Sequence, residues 1–369
     1  MGKKESVLER VNLERYLESH GVSRRDFLTF CSTMAATLAL PAGFANAAEK
    51  KITADKRPSV IWVEMQSCTG DTESLLRASR PTAAELVLDY LSIDYQDAIM
   101  AAAGHQAEEA MYQAAAREKG KYILVVEGSI PVAKNGIYCM IAGKSAVQIV
   151  KELGENAAAV ISVGTCAAYG GIAAGSPNPT DARGVAEILP GKTVINLPGC
   201  PMNVVNLTAT IVHLLTIGAP PALDKHLRPL FAYGKRIHDN CERRAHFDQG
   251  QFVEAWDDLG HKQGWCLYKM GCKGPSTFHN CPTVQYNDGQ SWPVKAGHGC
   301  VGCSEPGFWD SMGPFYERLP NVPGYGADTT ATKVGLGIVA TVGAGVAVHG
   351  VIKAISHRFC GDDRIEPEK

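Results

Sequence analysis

Neither sign of charge is in excess: 36 basic and 38 acidic side chains leave a formal charge of -2, which removes the global electrostatic case for nucleic acid as a partner. Aromatic residues are scarce, at 7%. No GxGxxG or Walker sequence follows an apolar strand-like run, so a nucleotide-binding role has no support. No internal repeat recurs at a fixed period, which excludes a repeat architecture. Abundant instead are glycine (38), proline (20) and cysteine (12) in a chain of 369 residues. Glycine and proline make up about 16% of the chain and point to many irregular connections beside a regular core. The length allows one large domain or two ordinary ones. Twelve cysteines are too sparse for a small disulfide scaffold and too many for incidental packing, so structural bridges and metal chemistry are both open.

The two ends carry addresses. Ser23-Arg24-Arg25-Asp26-Phe27-Leu28 precedes an apolar run from Leu28 to Leu40 and the A-x-A sequence Ala45-Asn46-Ala47. That order predicts a twin-arginine export signal over residues 1–47. Its removal leaves 30 basic and 33 acidic residues, a charge of -3. Because this route carries folded proteins that have already taken up a metal cofactor, it favours metal over disulfides. Near the other end, Val334 to Ile355 is a 22-residue apolar stretch, long enough to cross a bilayer as a helix. Gly335, Gly337, Gly343, Gly345, Ala347 and Gly350 permit close helix packing in lipid. Lys353, His357 and Arg358 at its far end place the tail in the cytoplasm and the body on the outer, periplasmic side. For His349, a seat at the membrane interface and ligation of a partner's haem are both open.

From Pro58 to Gly218 short apolar strands alternate with helical patterns, which implies a parallel sheet flanked by helices. Strands are expected at Val60–Met65, Tyr122–Glu127, Ala158–Gly164 and Thr193–Leu197. Helices are expected at Ala83–Leu91, Gln106–Glu118, Ser145–Leu153 and Val204–Leu215. In such open sheets ligands gather beyond the carboxyl ends of the strands. Three of those ends carry Cys68, Cys166 and Cys200. Beyond Ala219 the periodicity fades, and up to Gly326 the chain is rich in Cys, Gly, Pro, Trp and His. A segment of that composition needs cofactors to hold it together. Its candidate ligands run His238-x2-Cys241, Cys266, Cys272, Cys281 and Cys300-x2-Cys303. A single C-x2-C fits zinc, a redox dithiol or an iron-sulfur cluster equally.

The whole arrangement is more specific. WCLYKMGCKGPSTFHNCP (265–282) and WPVKAGHGCVGCSEPG (292–307), with CTGDTES, GTCAAYGG and LPGCP upstream, resemble the small subunit of a membrane-bound nickel-iron hydrogenase of the quinone-linked uptake type. The resemblance covers nearly the whole chain and implies a flavodoxin-like domain (58–218), an iron-sulfur domain (219–326) and a transmembrane anchor (334–355). It implies a proximal 4Fe-4S cluster on Cys68, Asp71, Cys166 and Cys200. A distal 4Fe-4S cluster would use His238, Cys241, Cys266 and Cys272. A medial 3Fe-4S cluster would use Cys281, Cys300 and Cys303, with Pro293 where a fourth cysteine would complete a cubane. It further implies a large-subunit partner that carries the nickel-iron centre, since no pair of C-x2-C motifs is present to hold it here, and a quinone-reactive or ferredoxin-like membrane partner.

The chain departs from that family at the proximal loop, where C-T-G-C becomes Cys68-Thr69-Gly70-Asp71. Three readings are open: Asp71 ligates iron through an oxygen, the cluster has three irons, or water completes it while Asp71 turns to nearby amides. Gly70 and Gly171 stand where oxygen-tolerant members carry two extra cysteines. Ser67 replaces a frequent glutamate, which leaves Glu73 as a nearby carboxylate. Cys31 leaves with the signal, and Cys139 and Cys360 read as ordinary buried or tail thiols. The rival readings are an exported, membrane-anchored zinc or disulfide protein without redox role, and a free-standing iron-sulfur carrier.

Overall fold

The structure is a computed structural model; it describes residues 58–78, 91–319 and 327–359, with a few positions between Thr29 and Leu38. The arginine pair, the A-x-A sequence, Cys31, Cys360 and, but for Leu91, the helix expected from Ala83 lie outside the described residues. The chain separates into two compact units, Met1–Leu319 and Pro320–Lys369.

In the first unit five parallel strands form one sheet: β1 (Ser59–Glu64), β2 (Ser92–Gln96), β3 (Ile123–Glu127), β4 (Ala159–Val163) and β5 (Val194–Leu197). Their order is 2-1-3-4-5, the flavodoxin-like order. Parallel strands covered on both faces must be apolar on both, and β1, β3, β4 and β5 are. Trp62, Val125, Ile161 and Leu197 face one core, where Leu207 and Ile211 of helix α5 (Val204–Ile217) cover them. Leu124, Val126, Val160 and Val194 face the other. There Met111 of α2 (His105–Arg117) and Ile149 and Leu153 of α3 (Ala146–Asn156) pack on them. Each such side chain contributes about 1.5–3 kcal/mol on burial. A capping box starts α3, with Gln148 N donating to Ser145 Oγ at 3.3 Å and Ser145 N donating to Gln148 Oε1 at 2.9 Å. Asn203 caps α5, accepting from Val205 N at 2.9 Å.

Two short helices begin directly at strand ends, α1 (Gly70–Leu76) after β1 and α4 (Gly164–Tyr169) after β4. Four of the five strands fall where the apolar runs predict them. The edge strand β2 was not expected, because Asp94 interrupts its apolar pattern. That carboxylate accepts from Ser59 Oγ at 2.6 Å, Ser92 Oγ at 2.7 Å and Arg117 Nη2 at 3.0 Å, which makes it tolerable at a sheet edge.

Beyond Ala219 the described backbone is built from single turns, among them Ile237–Asn240, Tyr268–Met270, Gly274–Ser276 and Cys281–Val284. Their own core is small: Ile237, Val253, Leu267, Trp292 and Val294, together with Cys281 and Cys300. The second unit is one helix, α6 (Ala327–Phe359), of 33 residues. At 1.5 Å per residue it is about 50 Å long. Its 22-residue apolar span, Gly335–Ser356, exposes every side chain within the unit.

Candidate metal centres

The upstream group is built on one buried carboxylate. Glu127, fully enclosed at the end of β3, accepts five hydrogen bonds, four from the segment around Cys68 and one from Trp62 of β1. Oε1 receives Ser67 Oγ and Asp71 N, each at 3.0 Å. Oε2 receives Trp62 Nε1 at 3.1 Å, Thr72 N at 3.1 Å and Thr72 Oγ1 at 2.6 Å. So many donors offset the cost of burying its charge. The loops after β4 and β5 are zipped together: Thr165 N donates to Gly199 O at 2.8 Å and Gly199 N to Thr165 Oγ1 at 3.0 Å. Thr165 Oγ1 also donates to Cys303 O, which ties these loops to the downstream cysteines.

Cys68, Asp71, Cys166 and Cys200 are thereby brought together, close enough for each negative charge to oppose the next. Burial, reinforced by those neighbours, pushes the Cys166 thiol up to about 11 and Cys200 up to about 12. Burial likewise pushes Asp71 up to about 7, with Glu127 and Glu64 adding to it. Cys166, Cys200 and Asp71, all held protonated chiefly by burial, suit a cationic metal core that would release their protons. Asp71 Oδ1 accepts from Met202 N at 2.6 Å. Its carboxyl lies against Gly164, whose φ is +79° and where a Cβ would overlap the carboxyl oxygens. Gly171 is similar, since a Cβ there would overlap Cys166 Sγ.

Downstream, His238, Cys241, Cys266 and Cys272 all line one pocket, closed by Leu267, Tyr268 and Val294. Burial holds His238 down at about 4, with Arg244 adding to it, so the imidazole is neutral and able to ligate. Burial raises Cys241 to about 11 and Cys266 to about 12. Cys281, Cys300 and Cys303 form a second set, all raised chiefly by burial. The sets are linked in series by hydrogen bonds. Thr165 Oγ1, next to Cys166, reaches Cys303 O, and Cys300 N donates to Cys272 Sγ at 3.3 Å. All ten described cysteines are free, and among the described residues no three ligating side chains converge on a single-ion site.

Two family models cover this chain. Residues 233–316 match the C-terminal part of the NiFe/NiFeSe hydrogenase small subunit, and residues 68–214 match NADH ubiquinone oxidoreductase, 20 Kd subunit. The Hydrogenase-2 small chain of Escherichia coli (strain K12) is 48% identical over 351 residues, covering 91% of this chain and 94% of that one. The chain belongs to the family of nickel-iron hydrogenase small subunits. The Quinone-reactive Ni/Fe-hydrogenase small chain of Wolinella succinogenes is similar to this small subunit at 45% over 344 residues, covering 91% of it and 97% of the relative. Among solved structures, the NiFeSe hydrogenase of Dm. baculatum matches with TM-score 0.67 and 36% identity, over 71% of this small subunit and 99% of that chain. The actinobacterial-type NiFe-hydrogenase from Ralstonia eutropha H16 matches with TM-score 0.66 and 26% identity, over 82% and 95%. As a member of this family, the small subunit acts with a large subunit in hydrogen oxidation, as its electron-transfer partner. Membership implies iron-sulfur clusters here and the nickel-iron centre in the large subunit.

Sequence reading missed Glu127, because a carboxylate closing an apolar strand carries no motif. It also passed over His279 and Tyr286, which stand beside Cys281. Their closeness in sequence to a cysteine was the available signal.

Proposed function

We propose that this small subunit relays electrons from hydrogen oxidation toward membrane quinone through three clusters. The proximal 4Fe-4S cluster is held by Cys68, Asp71, Cys166 and Cys200, the medial 3Fe-4S cluster by Cys281, Cys300 and Cys303, and the distal 4Fe-4S cluster by His238, Cys241, Cys266 and Cys272. The observation that carries this reading is the gathering of the four distal residues around one pocket. The hydrogen bonds from Thr165, next to Cys166, to Cys303 O and from Cys300 N to Cys272 Sγ support the order proximal, medial, distal. Thiolate sulfur matches the soft iron of such clusters, and an imidazole in place of one thiolate raises the potential at the exit. Around the sites, this chain's residues bury the thiols, hold His238 neutral and fasten the Cys68 loop to Glu127.

Quinone as acceptor is supported by the Wolinella relative and by the exposed apolar span of α6. Anchoring by that helix, with the body on the periplasmic side after twin-arginine export, completes the reading. The boundary near 219 divides the flavodoxin-like part from the iron-sulfur part.

Asp71 serves as the fourth proximal ligand. A carboxylate offers about four lone-pair sites, so the bond to Met202 N leaves sites for iron. That same bond favours a second reading, in which Asp71 stays on the amide and the iron corner is open. Electron paramagnetic resonance of the anaerobically purified, oxidised complex separates the two against Asp71→Cys. One 3Fe-4S signal in both proteins supports ligation by Asp71. A second 3Fe-4S signal found only with Asp71 rejects it, and zinc without any cluster signal rejects the relay.

A further inference from the structure

His279 is 2% exposed and lies two residues before Cys281. Its Nδ1 stands 3.0 Å from Cys281 Sγ. Its Nε2 is buried with no hydrogen-bond partner among the described residues. The ring packs edge-on against Tyr233, with centroids 4.9 Å apart. The backbone is fixed as well: His279 N donates to Lys235 O at 3.2 Å. Phe278 is clamped from both sides, its amide donating to Glu305 Oε1 at 2.6 Å and its carbonyl accepting from Ser304 Oγ at 3.1 Å. Packing and main chain therefore aim the imidazole at the sulfur.

A neutral imidazole carries one N–H. Were the proton on Nε2, a buried donor would face no acceptor and bear the full desolvation penalty. On Nδ1 it meets the sulfur, and a cysteine bound to iron is a thiolate with lone pairs to accept it. The tautomer that satisfies the ring is the one that donates to Cys281. The Cys300 sulfur of the set receives a main-chain amide, from Gly302 at 3.4 Å. A side chain donating to Cys281 is open to substitution in a way that amide is not.

We propose that His279 is a positioning residue of the relay, whose Nδ1–H donates to the Cys281 sulfur and holds the medial reduction potential above the value the three thiolates alone would set. The proposal rests on the medial-cluster reading given above. Reduction adds negative charge that spreads onto the ligand sulfurs, so a donor at one of them stabilises the reduced form more than the oxidised one.

The test is a redox titration of the 3Fe-4S signal in the complete hydrogenase complex, comparing the parent with His279→Phe and His279→Asn. Phe fills the space without a donor, while Asn carries an amide nitrogen on the same branch of the side chain as Nδ1. At a fixed potential the Phe variant is expected to lower the reduced-to-oxidised ratio about tenfold, equivalent to about 59 mV for one electron, and Asn to stay near the parent. A Phe variant that titrates with the parent overturns the proposal. A second measurement needs no substitution: histidine labelled with nitrogen-15 in the parent complex. In the oxidised state the four-iron clusters are diamagnetic, so a nitrogen-15 coupling on the 3Fe-4S signal reports His279, and its absence overturns the assignment. A parent complex without any 3Fe-4S signal overturns the cluster reading itself, and the role of His279 with it.

Discussion

Replacing Glu127 by Gln tests how the Cys68 loop is held. The carboxylate accepts two hydrogen bonds on Oε1 and three on Oε2. A Gln side chain offers one oxygen and turns the other position into a donor. Its best orientation keeps the oxygen for Trp62 Nε1 and both groups of Thr72. The Ser67 hydroxyl can rotate away, but the Asp71 amide is left facing another donor. Losing the charge and orphaning one buried amide cost about 2–4 kcal/mol. At 1.4 kcal/mol per tenfold, local opening of the loop becomes roughly thirty to several hundred times more frequent. Hydrogen exchange on the purified complex, followed in peptides spanning 66–76, reads that opening directly. The control is Glu73→Gln: this exposed carboxylate lies 4.0 Å from Arg77, and its loss changes stability by no more than about 0.5 kcal/mol. Exchange in Glu127→Gln within about twofold of the parent would refute the claim that Glu127 fastens the loop.

Three further outcomes are expected. Arg228 pairs with Asp224 at 2.8 Å and Glu305 at 3.0 Å in a buried position; Arg228→Met strands Glu305 and costs about 3–5 kcal/mol, measured as a fall in the temperature at which the complex loses its visible cluster absorbance. Gly164→Ala drives a Cβ into the Asp71 carboxyl at a φ of +79°, so in electron paramagnetic resonance the proximal signal of the reduced complex should be lost while the 3Fe-4S signal of the oxidised complex persists. Stopping the chain before Gly335 removes the apolar span, and fractionation should move the complex from membranes to the soluble fraction with hydrogen oxidation by an artificial dye retained.

What the sequence revealed followed the physics of burial. β1, β3, β4 and β5 are apolar on both faces because helices cover both faces of the sheet, and such runs are visible without any structure. β2 was hidden because Asp94 finds its partners on Ser59 and Arg117, residues 35 and 23 positions away. The cysteines announced themselves by their spacing, yet the region holding the six from Cys241 to Cys303 has no period to read, since single turns rather than long elements position them. Glu127 was illegible because its hydrogen-bond partners lie 55 to 65 positions away and only the folded chain brings them near, whereas His279 stands two residues from Cys281. For Asp71 the sequence left three readings open, and the structure adds that one carboxyl oxygen accepts from Met202 N.

The amide link from Cys300 to Cys272 separates two properties of a wire that are usually entangled. At this crossing the bridging donor is main chain. No side-chain substitution short of proline deletes such a donor. In the relay proposed above, side chains such as Asp71, His238 and His279 set the height of each station while this crossing is held by the backbone. Such a chain could be retuned for a different electron acceptor one residue at a time with that crossing in place.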